Sequence, residues 1–384
     1  MSIGYETAVV GVGNTKFGKV AGVSAWRHQV EAVQLALADA GLSKADLDGL
    51  FTESQFTEPL LLHGHVLGQM LGIKPAYLST CSIGGATAIS LVQQAAMAIH
   101  HGLCNVAVCV YGDNPKTGFP ALFGKVQMGR GQADSLAFGM AGGPVMEARS
   151  AMRYKHDYGV TDEMFGAVPI AFREHASRNP NAQYRDLLSM QDYLGSRMIS
   201  DPLRMLDCCI GASDGAVAVV VTSEQRSADC RKRPVYIAGF GAANNLDGLS
   251  DPTHYTSFAG KRSSSTAYEM AGLGPDDVRV AQWYDCFTST VLITIEDYGF
   301  TGKGEAGPFA LEGNLTLRGR LPSNTSGGML SEANLTGWNA LAEGVRQVRG
   351  ESTSQVDNAS VCVVSGHGGF QASHATLLLT EATG

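Results

Sequence analysis

Apolar residues fall into two patterns along the chain, one typical of helices and one of buried strands. Between residues 86 and 100, apolar positions recur at intervals of three and four, which predicts a helix: Ile89, Val92, Ala96, Ile99. Small residues on its other faces indicate that this helix packs between two sheets. Runs rich in Val, Ala and Leu occur at 105–110, 215–222 and 374–380. Such runs are expected for strands that are covered on both faces.

Several of these segments occur twice, in the same order and at an offset of roughly 230 to 255 residues, with the slack expected from loop insertions. The matched pairs are Val9–Gly13 with Val235–Gly241, Ala40–Leu47 with Ala271–Val278, Ile83–Ala86 with Ser326–Met329, and 105–110 with 360–364. One glycine-rich match is common by chance, but an ordered set is not. The sequence therefore predicts two repeated halves.

Each half is predicted to run strand, helix, strand, helix, strand. The N-terminal half covers residues 1–225 and the C-terminal half residues 232–384, with the polar connector 223–234 at their junction. Residues from about 113 to 200 differ from the rest of the half in composition, with predicted loops rich in Gly, Pro and Phe followed by predicted helices. We interpret them as an insertion long enough to form a cap over a site.

Composition narrows the class of protein. Of 384 residues, 44% are hydrophobic and 17% are charged, which is typical of a globular chain. The net charge of −8 argues against a nucleic-acid sheath or a polybasic membrane anchor. No apolar stretch has the roughly 18 residues needed to span a bilayer, and no signal peptide is visible. We expect a cytoplasmic protein with no membrane span and no nucleic-acid partner.

The cysteines give no sign of a metal site. Most of the eight lie inside apolar runs, and neither a CxxC motif nor a His pair at zinc spacing occurs. Cys81 and Cys286 differ because each follows a predicted strand beside polar or glycine residues, where a helix terminus or a His lowers a thiol pKa. His367 stands among glycines at 366, 368 and 369, which indicates close backbone approach to something bound.

Three further segments support a resemblance to a known family: Tyr284–Phe287, Asn324–Gly328, and 200–209 leading into Ser213–Ala216. Together with the repeat, they resemble the thiolase superfamily over essentially the whole chain. The nearest branch is that of the sterol-carrier-type thiolases and the thiolase-like lipid-transfer or aldolase proteins. The resemblance implies an α/β, thiolase-like five-layer α-β-α-β-α fold built from two repeated halves. It also implies a homodimer and coenzyme A thioester substrates, without a tightly bound cofactor.

The resemblance also identifies where this chain departs from a thiolase. A thiolase needs a nucleophilic cysteine at the N-terminus of the first half's central helix, and counting along the sequence puts that position on Gly85 or near Ile83. Cys81 misses it by two to four residues. The family's oxyanion-hole His maps to Asn334, and a late acid/base cysteine maps near Ser365, close to His367.

In the sterol-carrier branch, the acid/base cysteine lies in a His-Asp-Cys-Phe loop. Cys286 matches that cysteine, and Tyr284 replaces the His, as in the thiolase-like aldolases. Retro-aldol cleavage of a 3-hydroxyacyl-CoA needs no nucleophile, only a base for the β-hydroxyl and donors for the enolate oxygen. We expect the proton transfers to involve Tyr284, His367 and Cys286. We expect the enolate to be held by Asn334 and by backbone N–H groups of Gly84, Gly85, Gly368 and Gly369. A glycine at the nucleophile position is also expected to leave space for a bulky acyl group.

The leading hypothesis is therefore a thiolase-superfamily enzyme that cleaves a carbon–carbon bond β to a CoA thioester by retro-aldol chemistry. Two alternatives stay open: a true 3-ketoacyl-CoA thiolase (acyltransferase) that uses Cys81 or Cys286, and a non-catalytic acyl-CoA-binding subunit. Related subunits act with a small zinc-ribbon/OB-fold partner. Because no zinc-ribbon spacing occurs here, such a partner would be a separate chain.

Overall fold

The computed structural model of the protein describes residues 3–118, 139, 142–245, 255–369 and 372–382. Its helices, numbered in chain order, are α1 Ala25–Ala40, α2 His63–Leu71, α3 Thr87–His100, α4 Gly143–Tyr158, α5 Asp162–Ala176, α6 Met190–Leu194, α7 Glu224–Ser227, α8 Gly260–Ala271, α9 Thr288–Asp297, α10 Ala306–Leu311, α11 Gly328–Ser331 and α12 Trp338–Arg349. Its strands are β1 Thr7–Asn14, β2 Gly49–Thr52, β3 Tyr77–Thr80, β4 Val106–Asp113, β5 Met198–Ser200, β6 Leu203–Arg204, β7 Gly215–Ser223, β8 Val235–Asn244, β9 Val280–Gln282, β10 Val361–Gly368 and β11 Ser373–Thr380.

The strand pairing of residues 7–223 recurs in residues 235–380. In the first set, β1 is antiparallel to β7, β7 is antiparallel to β4, and β4, β2 and β3 are parallel. In the second set, β8, β11, β10 and β9 pair in the same order and in the same senses. A parallel bridge from Ala281 to Ser323 takes the place of β3. The exact division at residues 225 and 232 stays a prediction.

The two sets of strands form one continuous sheet. Antiparallel pairing of Ala8 with Tyr236 and of Val9 with Val235 joins β1 to β8. The resulting nine-stranded order is β3-β2-β4-β7-β1-β8-β11-β10-β9. On either side of this junction, the chain buries a helix that belongs to the same cluster of apolar side chains, α3 from the first half and α12 from the second.

Side chains that point to alternate faces of the strands define the layers of the fold. On β4, Val106 and Val108 face an apolar cluster that includes α1 and α2, whereas Ala107 and Cys109 face the cluster that includes α3 and α12. On β10, Val363 faces a third cluster, built with α8 and α9. The layers therefore run α1/α2, sheet, α3/α12, sheet, α8/α9. The predicted five-layer α/β fold is confirmed.

The insertion predicted at about 113–200 contains α4, α5, α6 and β5, which pairs with β6 just beyond it, while its residues 119–138, 140 and 141 lie outside the described part of the chain. Helix α5 packs on α9, α10 and α11 of the second half. Arg173 Nε donates to Ser331 Oγ at 2.8 Å, and Asn179 Nδ2 donates to Glu332 Oε1 at 2.9 Å. The insertion of the first half thus covers the 324–332 segment of the second. Among the described residues, no helix is long and apolar enough to cross a membrane.

Candidate active site

The ring of Tyr284 occupies the space directly in front of Gly85. A Cβ atom placed on Gly85 would lie 1.9 Å from Cε2 and 2.1 Å from Cζ of Tyr284, far inside van der Waals contact. No side chain fits at residue 85 while Tyr284 keeps this position. The expectation that Gly85 leaves room for a bulky acyl group is therefore wrong, because an aromatic ring from the second half already fills that room.

Two equivalent helix N-termini converge on this ring. Helix α3 begins two residues after Gly85, and helix α12 begins directly after Gly337, whose φ is +87°. A Cβ on Gly337 would lie 2.9 Å from Tyr284 Cδ2 and 3.4 Å from the carbonyl oxygen of Gly85. Helix N-termini carry partial positive charge and N–H groups without helical partners. The surroundings of the Tyr284 ring therefore favour negative charge that develops on a bound molecule.

Tyr284 lies in a loop that follows β9 and is held by hydrogen bonds. Its backbone N–H donates to Ser365 Oγ at 2.9 Å. The next residue, Asp285, is fully buried and accepts from the N–H groups of Met329 (2.9 Å) and Leu330 (3.0 Å), in α11. Burial raises the pKa of Asp285 to about 7, and these two hydrogen bonds oppose the rise. The loop thus fixes the Tyr284 backbone through partners on two other segments.

Tyr284 is a neutral phenol at physiological pH. Burial raises its pKa well above 10, and the neighbouring Cys286, Cys209 and Glu53 raise it further. In this state the hydroxyl donates a proton or a hydrogen bond and does not act as a resting base.

His367, which lies on β10, is next to Tyr284. Its ring centroid is 6.0 Å from that of Tyr284 and 5.2 Å from that of Phe258. The side chain is only 4% exposed, and burial lowers its pKa to about 4, so the imidazole is neutral at pH 7. His374, paired with it on β11, has a ring centroid 5.7 Å away and a pKa that burial lowers well below its ordinary value.

The glycines beside His367 serve a different purpose from the one predicted. A Cβ on Gly368 would lie 1.9 Å from the carbonyl oxygen of Ile83, and one on Gly84 would lie 3.0 Å from Gly368 Cα. Gly369 has a φ of +63°. The close backbone approach inferred from the sequence is therefore an approach of the two halves to each other, Ile83–Gly84 against Gly368–Gly369. An oxyanion role for these backbone groups stays a proposal.

Neither candidate thiol has a lowered pKa, contrary to the sequence prediction. Burial raises the pKa of Cys81, which follows β3, and Glu53 adds to that rise. Burial and the nearby Glu147 raise the pKa of Cys286 well above 9. No histidine in the described part of the chain is among the groups that shift either pKa. Both groups are therefore weak nucleophiles in this structure.

Asn334 uses its amide within the protein. Its Nδ2 donates to the carbonyl oxygen of Ile210 at 3.0 Å and lies 3.4 Å from Cys209 Sγ. Its backbone N–H donates to Ser213 Oγ at 3.1 Å. Cys209 in turn pairs with the Cys286 loop, since its N–H donates to Cys286 O at 2.9 Å. The predicted oxyanion role of Asn334 stays a prediction, and Cys209 is a neighbour of the site that sequence reasoning missed.

Glu53, Gly337 and Trp338 were also missed. Glu53 follows β2 directly and is fully buried, and its Oε2 accepts from Trp338 Nε1 at 2.8 Å. An acidic residue directly after an apolar strand was the available signal for Glu53, since sites in open α/β sheets lie at the carboxyl ends of strands. No comparable signal marked Gly337, because only its contact with Tyr284 shows its importance.

An open cleft lies on the outer face of α4. It has a volume of about 620 Å³ and is lined by Val145, Ala148, Arg149, Met152, Arg153, His156, Ser200, Asp201 and Tyr255. On the buried face of α4, Glu147 accepts hydrogen bonds from Ser289 and Thr290, each at 3.1 Å. Thr290 Oγ1 lies 3.5 Å from Cys286 Sγ. The cleft therefore shares a helix with one wall of the Tyr284 site.

Within the described ranges, no group of three or more His, Cys, Asp or Glu side chains is arranged to hold a metal ion.

Comparison with known proteins establishes the family. A model described as "Thiolase C-terminal domain-like" matches residues 241–381. Over 385 aligned positions, the chain is 39% identical to 17-hydroxy-3-oxo-4-pregnene-20-carboxyl-CoA lyase of Mycobacterium tuberculosis, which covers 94% of this chain and 97% of that protein. The chain belongs to the thiolase superfamily. This thiolase-superfamily chain is also 39% identical, over 378 positions, to the steroid side-chain-cleaving aldolase of Thermomonospora curvata, covering 94% of this chain and 95% of that one.

A solved structure agrees with these relatives. The structure described as "Ltp2-ChsH2(DUF35) aldolase" matches with a TM-score of 0.89 and 36% identity, covering 98% of each chain. These similarities place this thiolase-superfamily chain in the aldolase and sterol-carrier branch. They confirm the predicted fold and the predicted class of acyl-CoA carbon–carbon lyase.

Proposed function

We propose that the protein cleaves a 3-hydroxyacyl-CoA with a bulky, steroid-like acyl group by a retro-aldol reaction. The observation that carries this proposal is the contact of Tyr284 with Gly85, which puts a phenol where a thiolase would present its nucleophilic sulfur. The names of the two relatives, a 17-hydroxy pregnene carboxyl-CoA lyase and a steroid side-chain-cleaving aldolase, support the class of substrate.

The two proton-transfer roles follow from protonation states. His367 is neutral and accepts the proton of the β-hydroxyl, because its lowered pKa leaves a ring nitrogen without a proton. The Cα–Cβ bond breaks, and its electron pair passes to the enolate of the thioester. Tyr284 donates its phenolic proton to the α-carbon of that enolate. The products are a ketone and a shortened acyl-CoA, and return of the proton from His367 to Tyr284 restores the site.

The converging helix N-termini stabilise the enolate. Gly85 and Gly337 bring the starts of α3 and α12 to the same ring, so partial positive charge from two helices faces the developing oxyanion. Loss of one such donor costs typically ~3 kcal/mol, or about 10²–10³ in rate. We assign this role to the backbone of Gly84–Gly85 and Gly368–Gly369, with Asn334 and Cys286 as flanking side chains.

The cleft on α4 is proposed to bind the nucleotide end of coenzyme A. Arg149 and Arg153 give it positive charge, and Tyr255 offers an aromatic face, with the Arg149 guanidinium 5.6 Å from the ring centroid. Arginine side chains suit phosphate recognition. On its buried face, α4 also borders Cys286 through Glu147 and Thr290, which supports placing the coenzyme at this helix.

We further propose a homodimer that acts with a separate zinc-ribbon/OB-fold partner subunit in the cytoplasm. The matched aldolase structure is named for two components, Ltp2 and ChsH2(DUF35), which supports a second subunit. The strand β3, at one edge of the sheet, is available for pairing with another copy.

The test is turnover of a steroidal 3-hydroxyacyl-CoA by the purified chain, alone and with its co-purified partner, with the ketone and the shortened acyl-CoA measured. Tyr284→Phe is expected to lower kcat at least about a hundredfold because it removes the donated proton. Tyr184→Phe, at an exposed tyrosine, is the control.

Cleavage that depends on free CoA, or an acyl group on Cys81 or Cys286 by intact mass, would favour a thiolase instead. Substrate binding without turnover in the complete complex would favour a non-catalytic subunit.

A further inference from the structure

Glu53 is a buried acid that the proposed reaction does not use. It stands one residue beyond the end of β2, and its side chain has no solvent exposure. Its backbone N–H donates to Val110 O at 3.3 Å, which continues the β2–β4 pairing by one residue. Its position is therefore fixed by the sheet.

One carboxyl oxygen of Glu53 has a clear structural role and the other does not. Oε2 accepts from Trp338 Nε1 at 2.8 Å, and Trp338 is also fully buried. Oε1 is buried, and the neutral hydroxyls of Thr87 and Thr336 lie beside the carboxyl and bring no positive charge to it. An amide or a backbone carbonyl would satisfy the indole N–H without burying an ionisable group. The carboxyl is therefore more than an acceptor for Trp338.

The Glu53–Trp338 hydrogen bond connects directly to the Tyr284 site. Trp338 is the first residue of α12, and the preceding Gly337 contacts both the Tyr284 ring and Gly85 O. On the α3 side, Thr87 lies beside the Glu53 carboxyl, and its hydroxyl bonds Gly84 O at 2.5 Å. Glu53 thus lies behind both helix N-termini that face the Tyr284 ring.

Other polar groups face Glu53 from the remaining elements. Thr336 lies next to its carboxyl, and hydrogen bonding from the Thr336 hydroxyl partly opposes the rise in the Glu53 pKa. From β4 come Asp113, whose charge disfavours ionisation of Glu53, and Tyr111, whose hydroxyl donates to Asp113 at 3.4 Å. Cys81 faces it from the end of β3. None of these is a cation, so nothing in the described surroundings neutralises an ionised Glu53.

The protonation state of Glu53 matters because the reaction develops negative charge nearby. Burial raises its pKa to about 8, so the carboxyl is neutral at pH 7. An ionised Glu53 would place a second negative charge beside the enolate and cancel part of the stabilisation from α3 and α12. The same charge also raises the pKa of Tyr284 and makes it a poorer acid.

We propose that Glu53 is a positioning residue of the lyase, which anchors Trp338 and must hold its own proton for Tyr284 to act. The inference rests on the proposed function, and Glu53 acts through Tyr284 and the two helix N-termini without touching substrate. In the protonated acid, one oxygen holds the indole and the other carries the proton. Ionisation of Glu53 keeps the hydrogen bond to Trp338, but its negative charge weakens the stabilisation of the enolate by α3 and α12.

The experiment is the pH profile of kcat/KM for retro-aldol cleavage by the complete enzyme, with and without Glu53→Gln. For the wild type, kcat/KM is expected to fall about tenfold per pH unit above about pH 8 as Glu53 ionises. Glu53→Gln is permanently neutral and keeps an acceptor for Trp338. It is expected to lower kcat by less than about tenfold, with KM unchanged, and to remove the fall above pH 8.

A matched comparison makes the readout specific. Glu343→Gln, at a buried acid of α12 that bonds Thr325, Ser352 and Gln347, is expected to keep the wild-type fall above pH 8. Asp285, with a pKa near 7, contributes a separate change that all variants share.

Infrared difference spectra of wild type minus Glu53→Gln give a second readout, independent of turnover. A protonated-carboxyl band is expected at pH 7 that disappears above pH 8. Its absence at pH 7, or an unchanged alkaline fall in Glu53→Gln, overturns the inference. A wild type that does not cleave any 3-hydroxyacyl-CoA refutes the proposed function, while the infrared band still reports on Glu53.

Discussion

The contact between Gly85 and Tyr284 makes Gly85→Ala the most informative substitution in the protein. The new Cβ would lie 1.9 Å from Tyr284 Cε2, whereas ordinary contact begins at 3.4 Å, so the ring must retreat by about 1.5 Å or α3 must shift. Overpacking of this kind costs about 1–3 kcal/mol. Displacement of a reacting group by about 1 Å costs about a hundredfold in rate. We therefore expect Gly85→Ala to unfold at lower temperature and to lose at least a hundredfold in kcat.

The double variant Gly85→Ala/Tyr284→Ala separates packing from chemistry. Removing the ring relieves the clash, so the double variant is expected to recover most of the stability lost in Gly85→Ala while remaining inactive. Thermal unfolding and steady-state cleavage of a 3-hydroxyacyl-CoA are the two measurements. Gly274→Ala is the control, since a Cβ there meets nothing closer than 3.9 Å. If Gly85→Ala keeps both the melting temperature and kcat of the wild type, the ring does not occupy this position and the lyase argument fails.

Three further predictions follow from other parts of the site. Cys81→Ala is expected to keep cleavage within about twofold of wild type, because burial raises the pKa of that thiol and retro-aldol chemistry needs no nucleophile; loss of activity together with an acyl-cysteine in the wild type would contradict this. Arg149→Glu is expected to raise KM for the CoA thioester about tenfold with kcat nearly unchanged, equivalent to ~1.4 kcal/mol; Arg178→Glu, at an exposed arginine that pairs with Glu174, should leave KM unchanged. For Glu53, the pKa is about 8 in the folded protein and ordinarily 4.5, so its contribution to stability is full below pH 4.5 and is lost as the pH rises to about 8. The free energy of unfolding of Glu53→Gln, relative to that of the wild type, should therefore increase between pH 5 and pH 8 by no more than about 1.4 kcal/mol per pH unit and then level off. Melting temperatures measured across this pH range check the prediction. A difference between the two proteins that does not change with pH would refute the raised pKa.

The fold was predictable because its signals are local and duplicated. Continuous apolar strands, helical spacing in 86–100 and the ordered repeat each follow from short stretches of sequence. Tyr284, His367 and the glycines at 84, 85, 368 and 369 were found because loops that end strands are where sites form. The structure brings these residues together at the N-termini of α3 and α12.

What the sequence could not supply was the partner of each residue. The glycines of the His367 loop are required by Ile83, nearly 300 positions earlier in the chain, and not by a ligand. The pKa values of Cys81 and Cys286 rise because burial outweighs any polar neighbour, and burial depends on the whole fold. Glu53 was overlooked since its role depends on Trp338, from the other half.

The bridge between β1 and β8 limits how a large substrate can enter. The nine strands form one sheet, and the two central helices share one apolar cluster. The two halves therefore cannot open by a hinge motion without disrupting the hydrophobic core. Under the proposed function, a rigid polycyclic acyl group would therefore have to enter from the periphery, past the insertion and its neighbours. Exchange of the insertion and its neighbouring segments between relatives should change which substrates bind, while the buried residues around Tyr284 stay the same.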